Sequence, residues 1–190
     1  LLAALADGSL QPLPVQTFAL AQAPAAMRHM AQARHTGKIV LLAAPDRGAD
    51  RVVAEASYLV TGGLGALGLA TARWLVARGA RHLVLTGRHA PDAAAQQVID
   101  ELQARGAHVR VDAVDAADAP RMQALFDDVA RSLPPLRGVV HAAGTLHDGV
   151  LTRQRWSEAR AVLRGKAHGA WVLHNCTRGL PLDFFVLYSA

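Results

Sequence analysis

The feature that most constrains the fold is a cluster of glycines at residues 62–68, which lies between two segments of contrasting pattern. Before it, residues 57–61 form a short run of mostly apolar and β-branched side chains, which is typical of a buried strand. After it, apolar residues recur at helical spacing until Gly79, a suitable helix C-cap. A strand, a tight glycine turn and a helix in this order are typical of the first unit of a βαβ fold.

The rest of the chain continues this alternation of strand and helix. We predict further strands at residues 82–86, 109–114, 138–142 and 183–188, and helices at 67–78, 93–105, 119–132 and 156–176. On the first two helices we expect these residues to face the core: Leu67, Ala70, Trp74, Leu75, Val98, Ile99 and Leu102. Helices of this length between strands require crossover connections, and hence parallel strands covered on both faces. The prediction is an α/β fold, a Rossmann-like doubly wound parallel sheet truncated after its fifth strand.

The first 43 residues follow a separate pattern. We predict a strand at 13–20, a helix at 23–34 and a strand at 38–43. This βαβ tail is too short to hold a core alone, so we assign residues 1–43 to the end of a preceding domain. Polar residues with Pro and Gly mark a linker at 44–56, which leaves 57–190 as the main domain. The chain lacks an initial Met and ends inside an apolar run, so we expect a piece of a longer protein.

Composition narrows the classes of function. The net charge is +5, but the arginines are scattered and few aromatic residues accompany them, so we expect no nucleic-acid partner. No apolar run approaches the roughly 20 residues that cross a bilayer, so we expect no membrane span. The single cysteine, Cys176, excludes an internal disulfide and a cysteine-based zinc site. We expect no metal ion, and a reducing cytoplasm as the compartment.

The glycine cluster predicts a dinucleotide site. Residues 63–68 read Gly-Leu-Gly-Ala-Leu-Gly, with the preceding Thr61 and Gly62 at the strand end. The glycines of such a loop permit a tight turn and close backbone approach to a pyrophosphate, which the N-terminus of the next helix attracts. The interacting residues would be Thr61, Gly62, Gly63, Leu64, Gly65, Leu67 and Gly68. The alternative is a tight βα turn without a ligand.

The end of the second strand favours NADPH. An NAD site places a carboxylate about 20 residues after the glycines, where it binds the ribose 2′-hydroxyl. Here the segment is Leu85-Thr86-Gly87-Arg88-His89, with no carboxylate before Asp92. The planar guanidinium of Arg88 suits a 2′-phosphate instead. The alternative is an exposed arginine in solvent.

Two further strand ends could complete the nucleotide site. Asp115 follows the third strand, where its side chain can reach an adenine edge; alternatively it caps the next helix, for which Asp118 is a rival. His141, Ala142, Ala143 and Gly144 end the fourth strand, and these small residues let the backbone approach the nicotinamide ribose. For the His141 ring itself, a position facing the core is favoured over catalysis.

These motifs together resemble the ketoreductase domain of modular type I polyketide synthases, a relative of the short-chain dehydrogenases. The resemblance rests on residues 61–68, Arg88, residues 141–144 and the closing segment 182–189, Leu-Asp-Phe-Phe-Val-Leu-Tyr-Ser. It covers nearly all of residues 57–190. Residues 7–15 and 30–41 resemble the C-terminal end of the enoyl reductase that precedes the ketoreductase in fully reducing modules.

The resemblance implies that NADPH reduces a β-ketoacyl group tethered to an acyl carrier protein, in polyketide or fatty acid-like biosynthesis. It implies as partners the carrier-bound substrate and the other domains of the same synthase, in a homodimeric parent. In that family a tyrosine donates the proton, with serine and lysine assisting, and Lys166 matches the lysine. The alternative for Lys166 is an exposed helix lysine.

The chain departs from the family pattern in three places. Ser189 matches the first member of a serine pair, but Ala190 stands where the usual catalytic serine would be. Either the catalytic role of the serine shifts to a neighbour, for which Ser189 is our candidate, or proton transfer is impaired. The tyrosine and its asparagine partner would lie beyond Ala190, so we expect this chain alone to be inactive. Asp148 matches the final aspartate of the Leu-Asp-Asp motif of B-type reductases, although His147 departs from it; an ordinary loop carboxylate is the alternative. A non-catalytic structural reductase domain and a stand-alone short-chain dehydrogenase remain alternatives.

Overall fold

The computed structural model describes residue 11 and residues 13–33, 35–42 and 52–188. The chain divides into two compact units, residues 1–47 and residues 48–190. Most of the predicted linker, together with Ser189 and Ala190, lies outside the described residues.

The first unit contains the predicted strand–helix–strand tail. β1 (Val15–Ala19) pairs in parallel with β2 (Lys38–Leu42), and α1 (Ala23–Ala31) connects them after a 3₁₀ turn. Ala26 is the one buried hydrophobic residue among those described in this unit. Most of its larger apolar side chains are exposed: Leu13, Val15, Leu20, Met27, Met30, Val40 and Leu42. The described part of this segment therefore leaves most of its apolar surface exposed, and its assignment to a preceding domain stays a prediction.

The second unit is built on a five-stranded parallel sheet. Its strands are β3 (Ser57–Thr61), β4 (His82–Gly87), β5 (His108–Ala113), β6 (Leu136–His141) and β7 (Phe184–Leu187). They lie in the order β5-β4-β3-β6-β7, and all four neighbouring pairs are parallel. The order reverses between β3 and β6, which opens a crevice outside the carboxyl ends of these strands. The predicted α/β, Rossmann-like sheet is confirmed.

Helices cover both faces of this sheet. They are α2 (Ala66–Ala77), α3 (Ala93–Ala104), α4 (Ala119–Ser132), α5 (Trp156–Leu163) and α6 (Gly169–Cys176). One core cluster joins Val60 of β3 to residues of α2 and α3, and a second joins Leu59 to residues of α4 and α6. Because neighbouring strand residues point to opposite faces, the two clusters lie on opposite sides of the sheet. The helix predicted over 156–176 differs in detail, since a π-helical turn (Arg164–His168) separates α5 from α6.

The prediction for the buried face of α2 was largely wrong. Leu75 is fully buried, but Leu67 is 50% exposed, Trp74 is 45% exposed, and Ala70 is also exposed. The residues that α2 buries are Gly68, Leu69, Thr71, Ala72, Leu75 and Val76. This helix is apolar on two faces, so helical spacing matched both, and only packing against the sheet selected one. On α3 the predicted Val98, Ile99 and Leu102 are buried, as expected.

The exposed apolar face of α2 lines a cleft beside the edge strand β7. The cleft has a volume of about 450 Å³ and is lined by Leu67, Ala70, Thr71, Trp74, Val140, Phe184, Val186 and Tyr188. Among the described helices, none combines the length and apolar character that crossing a membrane requires.

Candidate functional site

The glycine loop joins β3 to α2 at the reversal of strand order. Gly62 has φ of +66°, and a Cβ there would lie 2.6 Å from the Ala143 backbone nitrogen. The Gly63 N–H donates to the Thr86 carbonyl at 2.9 Å. A Cβ on Gly68 would collide with the Gly62 carbonyl oxygen. These glycines therefore allow the ends of β3, β4 and β6 and the start of α2 to pack in direct backbone contact.

Gly65 is different, because the protein itself leaves room for a side chain there. A Cβ at Gly65 would meet only the Gly62 carbonyl oxygen, at 3.5 Å. Gly65 is exposed and is the N-cap of α2, where no side chain caps the helix. The first N–H groups of the helix have no intrahelical acceptor and carry the positive end of its dipole. This open, uncapped N-terminus fits the pyrophosphate of a dinucleotide.

Arg88 lies just past the end of β4, beside this loop. Leu64 of the loop packs against Gly87, where a Cβ would lie 3.0 Å from Leu64 Cδ1. Arg88 is exposed, and it makes no hydrogen bond or ion pair with the residues that the structure describes. The guanidinium is therefore available to an anionic group at this edge of the loop.

Asp115 shapes the turn after β5, whereas Asp118 caps the next helix. One Asp115 carboxylate oxygen accepts from the Ala117 N–H at 2.9 Å, and the other lies 3.2 Å from a guanidinium nitrogen of Arg164. Asp118 accepts from the Arg121 N–H as the N-cap of α4. Asp118, and not Asp115, is therefore the residue that caps α4. The Asp115 side chain is 33% exposed, so its predicted contact with an adenine edge stays a prediction.

His141 is buried, 2% exposed, at the end of β6. Its Nδ1 lies 2.6 Å from the Thr61 hydroxyl oxygen, and its Nε2 lies 3.0 Å from the Gly165 carbonyl oxygen. Burial lowers the pKa of the imidazole and so favours its neutral form. Thr61 is also fully buried, and its carbonyl accepts from the Ala142 N–H at 2.9 Å. The two side chains therefore bind each other and the protein interior, which leaves only their backbones to contribute to the predicted cofactor contacts.

Lys166 lies in the π-helical turn and reaches back to the end of β6. A Cβ at Gly144 would be 3.1 Å from Lys166 Cε and 3.4 Å from Lys166 Cγ. The lysine stem therefore runs across Gly144, and the residue is half-buried. Lys166 is thus a packed residue beside the segment 141–144, and the alternative of a simple exposed helix lysine does not describe it.

Of the other predicted site residues, Asp148 is exposed in the loop that follows β6 and Ser189 lies outside the described residues. The predicted role of Ser189 therefore has no structural account. The two tyrosines have other partners: the Tyr58 hydroxyl accepts from the Val53 N–H at 2.7 Å, and the Tyr188 hydroxyl lies 3.3 Å from that of Thr71. Burial raises the pKa of Tyr58, which makes it a poor proton donor. No group of three or more potential metal ligands occurs within the described ranges.

Sequence reasoning missed several residues that shape this site. Arg164 pairs with Asp115, although nothing in its local sequence indicated this contact. The interruption of the helix also went unpredicted, although Gly165 and Gly169 stand inside the helical pattern. Two glycines four residues apart in a helix are a signal of close approach by another segment. A Cβ at Gly169 would indeed lie 3.1 Å from His141 Cε1.

Comparison with protein families gives two matches, one for each unit. The family described as KR domain matches residues 56–190. The family described as zinc-binding dehydrogenase matches residues 1–41.

Individual relatives agree with the first of these matches. Mycoketide-CoA synthase of Mycobacterium tuberculosis is 45% identical over 186 residues, which is 97% of this chain but 4% of that protein. A putative inactive phenolphthiocerol synthesis polyketide synthase of the same organism is 45% identical over 183 residues, 95% of this chain and 11% of that protein. Among solved structures, an A-type ketoreductase from a modular polyketide synthase is 40% identical with a TM-score of 0.67, covering 73% of this chain and 29% of the other. The chain therefore spans a small fraction of each polyketide synthase that it resembles.

Proposed function

The chain belongs to the KR domain family of polyketide synthase ketoreductases, and from this membership we propose that it serves NADPH-dependent reduction of a β-ketoacyl group to the β-hydroxyacyl form. The observation that carries this proposal is the position of Lys166. Its stem crosses Gly144, at the same edge of the sheet as the uncapped N-terminus of α2. A cation at this edge can stabilise the negative charge that develops on a carbonyl oxygen during reduction.

In this proposal the residues that would hold the nucleotide lie at the carboxyl ends of the strands. The N-terminus of α2 binds the pyrophosphate, and Arg88 pairs with the 2′-phosphate that distinguishes NADPH from NADH. Asp115 holds the adenine edge, and the backbone of Ala142, Ala143 and Gly144 borders the nicotinamide ribose. The bound nicotinamide supplies the hydride. The support for these roles is the open loop at Gly65 and the available guanidinium of Arg88.

Lys166 has two roles in this proposal, one electrostatic and one in orienting the groups of the site. Its ammonium group stabilises the negative charge that develops on the carbonyl oxygen and orients the groups around the ribose. The proton comes from a tyrosine that the family places after Ser189 and Ala190, outside this sequence. Asp148 stands on the substrate side and favours the B-type face of reduction.

The proposed context is a larger synthase. Residues 1–43 form the end of an enoyl reductase domain, residues 44–56 a linker, and residues 57–190 the first part of the ketoreductase. The partners are an acyl carrier protein that presents the substrate, the other domains of the same chain, and a second copy of the parent, in the cytoplasm. The support is the pair of family matches in this order and the polyketide synthases among the relatives.

Arg88→Ala tests the cofactor assignment through direct nucleotide binding. We expect about 10- to 100-fold weaker binding of NADPH and little change for NADH, because charge-assisted hydrogen bonds to a 2′-phosphate contribute about 1.5–3 kcal/mol. Titration of both nucleotides into the purified chain, followed by fluorescence or calorimetry, measures this. Arg81→Ala is the matched control, since Arg81 is also exposed but precedes β4. Equal losses for NADPH and NADH would remove Arg88 from the 2′-phosphate site.

Lys166→Ala distinguishes reduction from a purely structural role. The structural role is the second candidate function, because the name of one relative describes it as putative inactive. In the whole synthase we expect turnover of a β-ketoacyl thioester to fall about 100-fold or more, because the ammonium no longer stabilises the developing charge. The measurement is oxidation of NADPH in the presence of the thioester. The control is Lys38→Ala, which removes the chain's other lysine, in the first unit. A synthase that binds NADPH but never reduces the thioester would support the structural role.

A further inference from the structure

The buried ring of His141 connects three separate segments of the second unit. It belongs to β6, its Nδ1 contacts Thr61 of β3 at 2.6 Å, and its Nε2 contacts the π-helical turn. There Nε2 lies 3.0 Å from the Gly165 carbonyl oxygen and 3.3 Å from that of Lys166. None of these partners is close in sequence to His141, so the contacts exist only in the folded chain.

The direction of these hydrogen bonds follows from the chemistry of the partners. A carbonyl oxygen can only accept, so Nε2 must carry the hydrogen that it shares with Gly165 and Lys166. In a neutral imidazole the other nitrogen is then an acceptor, so the Thr61 hydroxyl donates to Nδ1. Burial lowers the pKa of the ring, in agreement with a neutral form. The two carbonyls therefore select the tautomer whose N–H points at the helix, and the Thr61 hydroxyl holds the ring by donating to its other nitrogen.

The acceptors of this N–H lie at an irregular turn. Residues 164–168 form a π-helical turn between α5 and α6, and such turns are often found at functional sites. Two glycines allow the turn to approach the sheet: a Cβ at Gly169 would lie 3.1 Å from His141 Cε1, and one at Gly165 would lie 3.6 Å from Gly144 Cα. The turn is thus held against the end of β6 at the position from which Lys166 extends.

We propose that His141, oriented by Thr61, is a positioning residue that fixes the π-helical turn so that Lys166 lies across Gly144. His141 touches no reacting group itself and acts through the backbone of Gly165 and Lys166. That Lys166 serves reduction from this position rests on the proposed function. The placement of Lys166 by His141 is a property of the folded chain and can be measured without turnover.

Thr61→Val and Thr86→Val form a matched pair for the test. The two threonines are register partners on β3 and β4, and both are at most 1% exposed. The Thr61 hydroxyl contacts His141, whereas the buried Thr86 hydroxyl has no hydrogen-bond partner within the described part of the chain. Both changes remove a hydroxyl from a buried strand position, but Thr61→Val alone also removes a hydrogen bond to His141.

The position of Lys166 can be followed because the chain contains two lysines, Lys38 and Lys166. Reductive ¹³C-methylation keeps the charge of each amine and gives a methyl signal that NMR detects. The N-terminal amine is labelled as well, so Lys38→Arg and Lys166→Arg together assign the two lysine signals, and exposed Lys38 in the first unit serves as an internal reference. The same spectra are recorded for the unsubstituted chain, Thr61→Val, Thr86→Val and His141→Asn.

We expect the Lys166 signal to move toward that of exposed Lys38 in Thr61→Val and His141→Asn, and to stay in place in Thr86→Val. If His141→Asn does not fold, Thr61→Val decides, with thermal unfolding as the check that it is folded. A Lys166 signal that is the same in Thr61→Val, Thr86→Val and the unsubstituted chain would overturn the proposal. NADPH titration of the same samples is a separate readout, so a failure to bind NADPH would count against the proposed function and leave the positioning result intact.

Discussion

The two sides of the candidate site, at the ends of β3 and β6, are held together in different ways. After β3, glycines bring backbone against backbone, and the contacts at Gly62, Gly63 and Gly68 involve hardly any side chain. After β6, the buried side chain of His141 binds the backbone carbonyls of Gly165 and Lys166, which lie 24 and 25 residues farther along the chain. This side chain therefore attaches the turn that carries Lys166 to the end of β6. The first side should therefore be sensitive to a Cβ atom added at Gly62, Gly63 or Gly68, and the second to the loss of particular polar groups.

Gly68→Ala should give the largest effect on the glycine side. Its Cβ would collide with the Gly62 carbonyl and lie 2.6 Å from Gly63 Cα, and backbone atoms cannot move aside as a flexible side chain can. We expect the free energy of unfolding to fall by at least about 2 kcal/mol and nucleotide binding to be lost. Denaturant unfolding of the chain and NADPH titration measure the two effects.

Gly65→Ala is the matched control for stability and a separate test of binding. Its Cβ would meet only an oxygen at 3.5 Å, so the cost is that of a poorer N-cap, and we expect the free energy of unfolding to fall by no more than about 1 kcal/mol. NADPH binding should nevertheless weaken, because the methyl group occupies space in front of the helix N-terminus. Unchanged binding in a stable Gly65→Ala chain would mean that the pyrophosphate does not approach at this residue.

The pH dependence of stability should give a smaller effect, on the His141 side. An unfolded histidine takes up a proton below about pH 6.5, whereas burial lowers the pKa of His141 in the folded chain. The unfolded state therefore binds more protons in this window, and His141 makes the free energy of unfolding fall as the pH drops below about 6.5. The slope from one group is at most about 1.4 kcal/mol per pH unit, and the loss stops below the folded pKa.

Denaturant unfolding between pH 8 and pH 5 isolates this contribution when the chain is compared with His141→Asn. The other eight of the chain's nine histidines are the same in both proteins, so the difference in slope belongs to His141. Identical slopes would show that the ring is not held neutral by the fold, which would weaken the hydrogen-bond directions inferred for Thr61 and Gly165.

The strands and most helices could be predicted because their signals are local. β3 and α4 have the bounds expected from the sequence, and Val98, Ile99 and Leu102 of α3 are buried as their spacing indicates. The buried face of α2 could not be chosen in this way, since two of its faces are apolar. For the same reason the π-helical turn was missed: Gly165 and Gly169 fit a helix well enough until a neighbouring strand is known to press against them.

The sequence by itself determined the strand–glycine–helix unit, the parallel α/β alternation and the resemblance to ketoreductases, because each depends on residues that are close along the chain. It also placed Arg88 at a strand end and indicated Lys166 by resemblance. Only the tertiary structure decided that Asp118 and not Asp115 caps α4, that Arg164 pairs with Asp115, and that His141 faces Thr61 and the turn of Lys166. The physical reason is that a buried donor or acceptor must find a partner in space, and the parallel sheet brings together strand ends that are far apart in sequence.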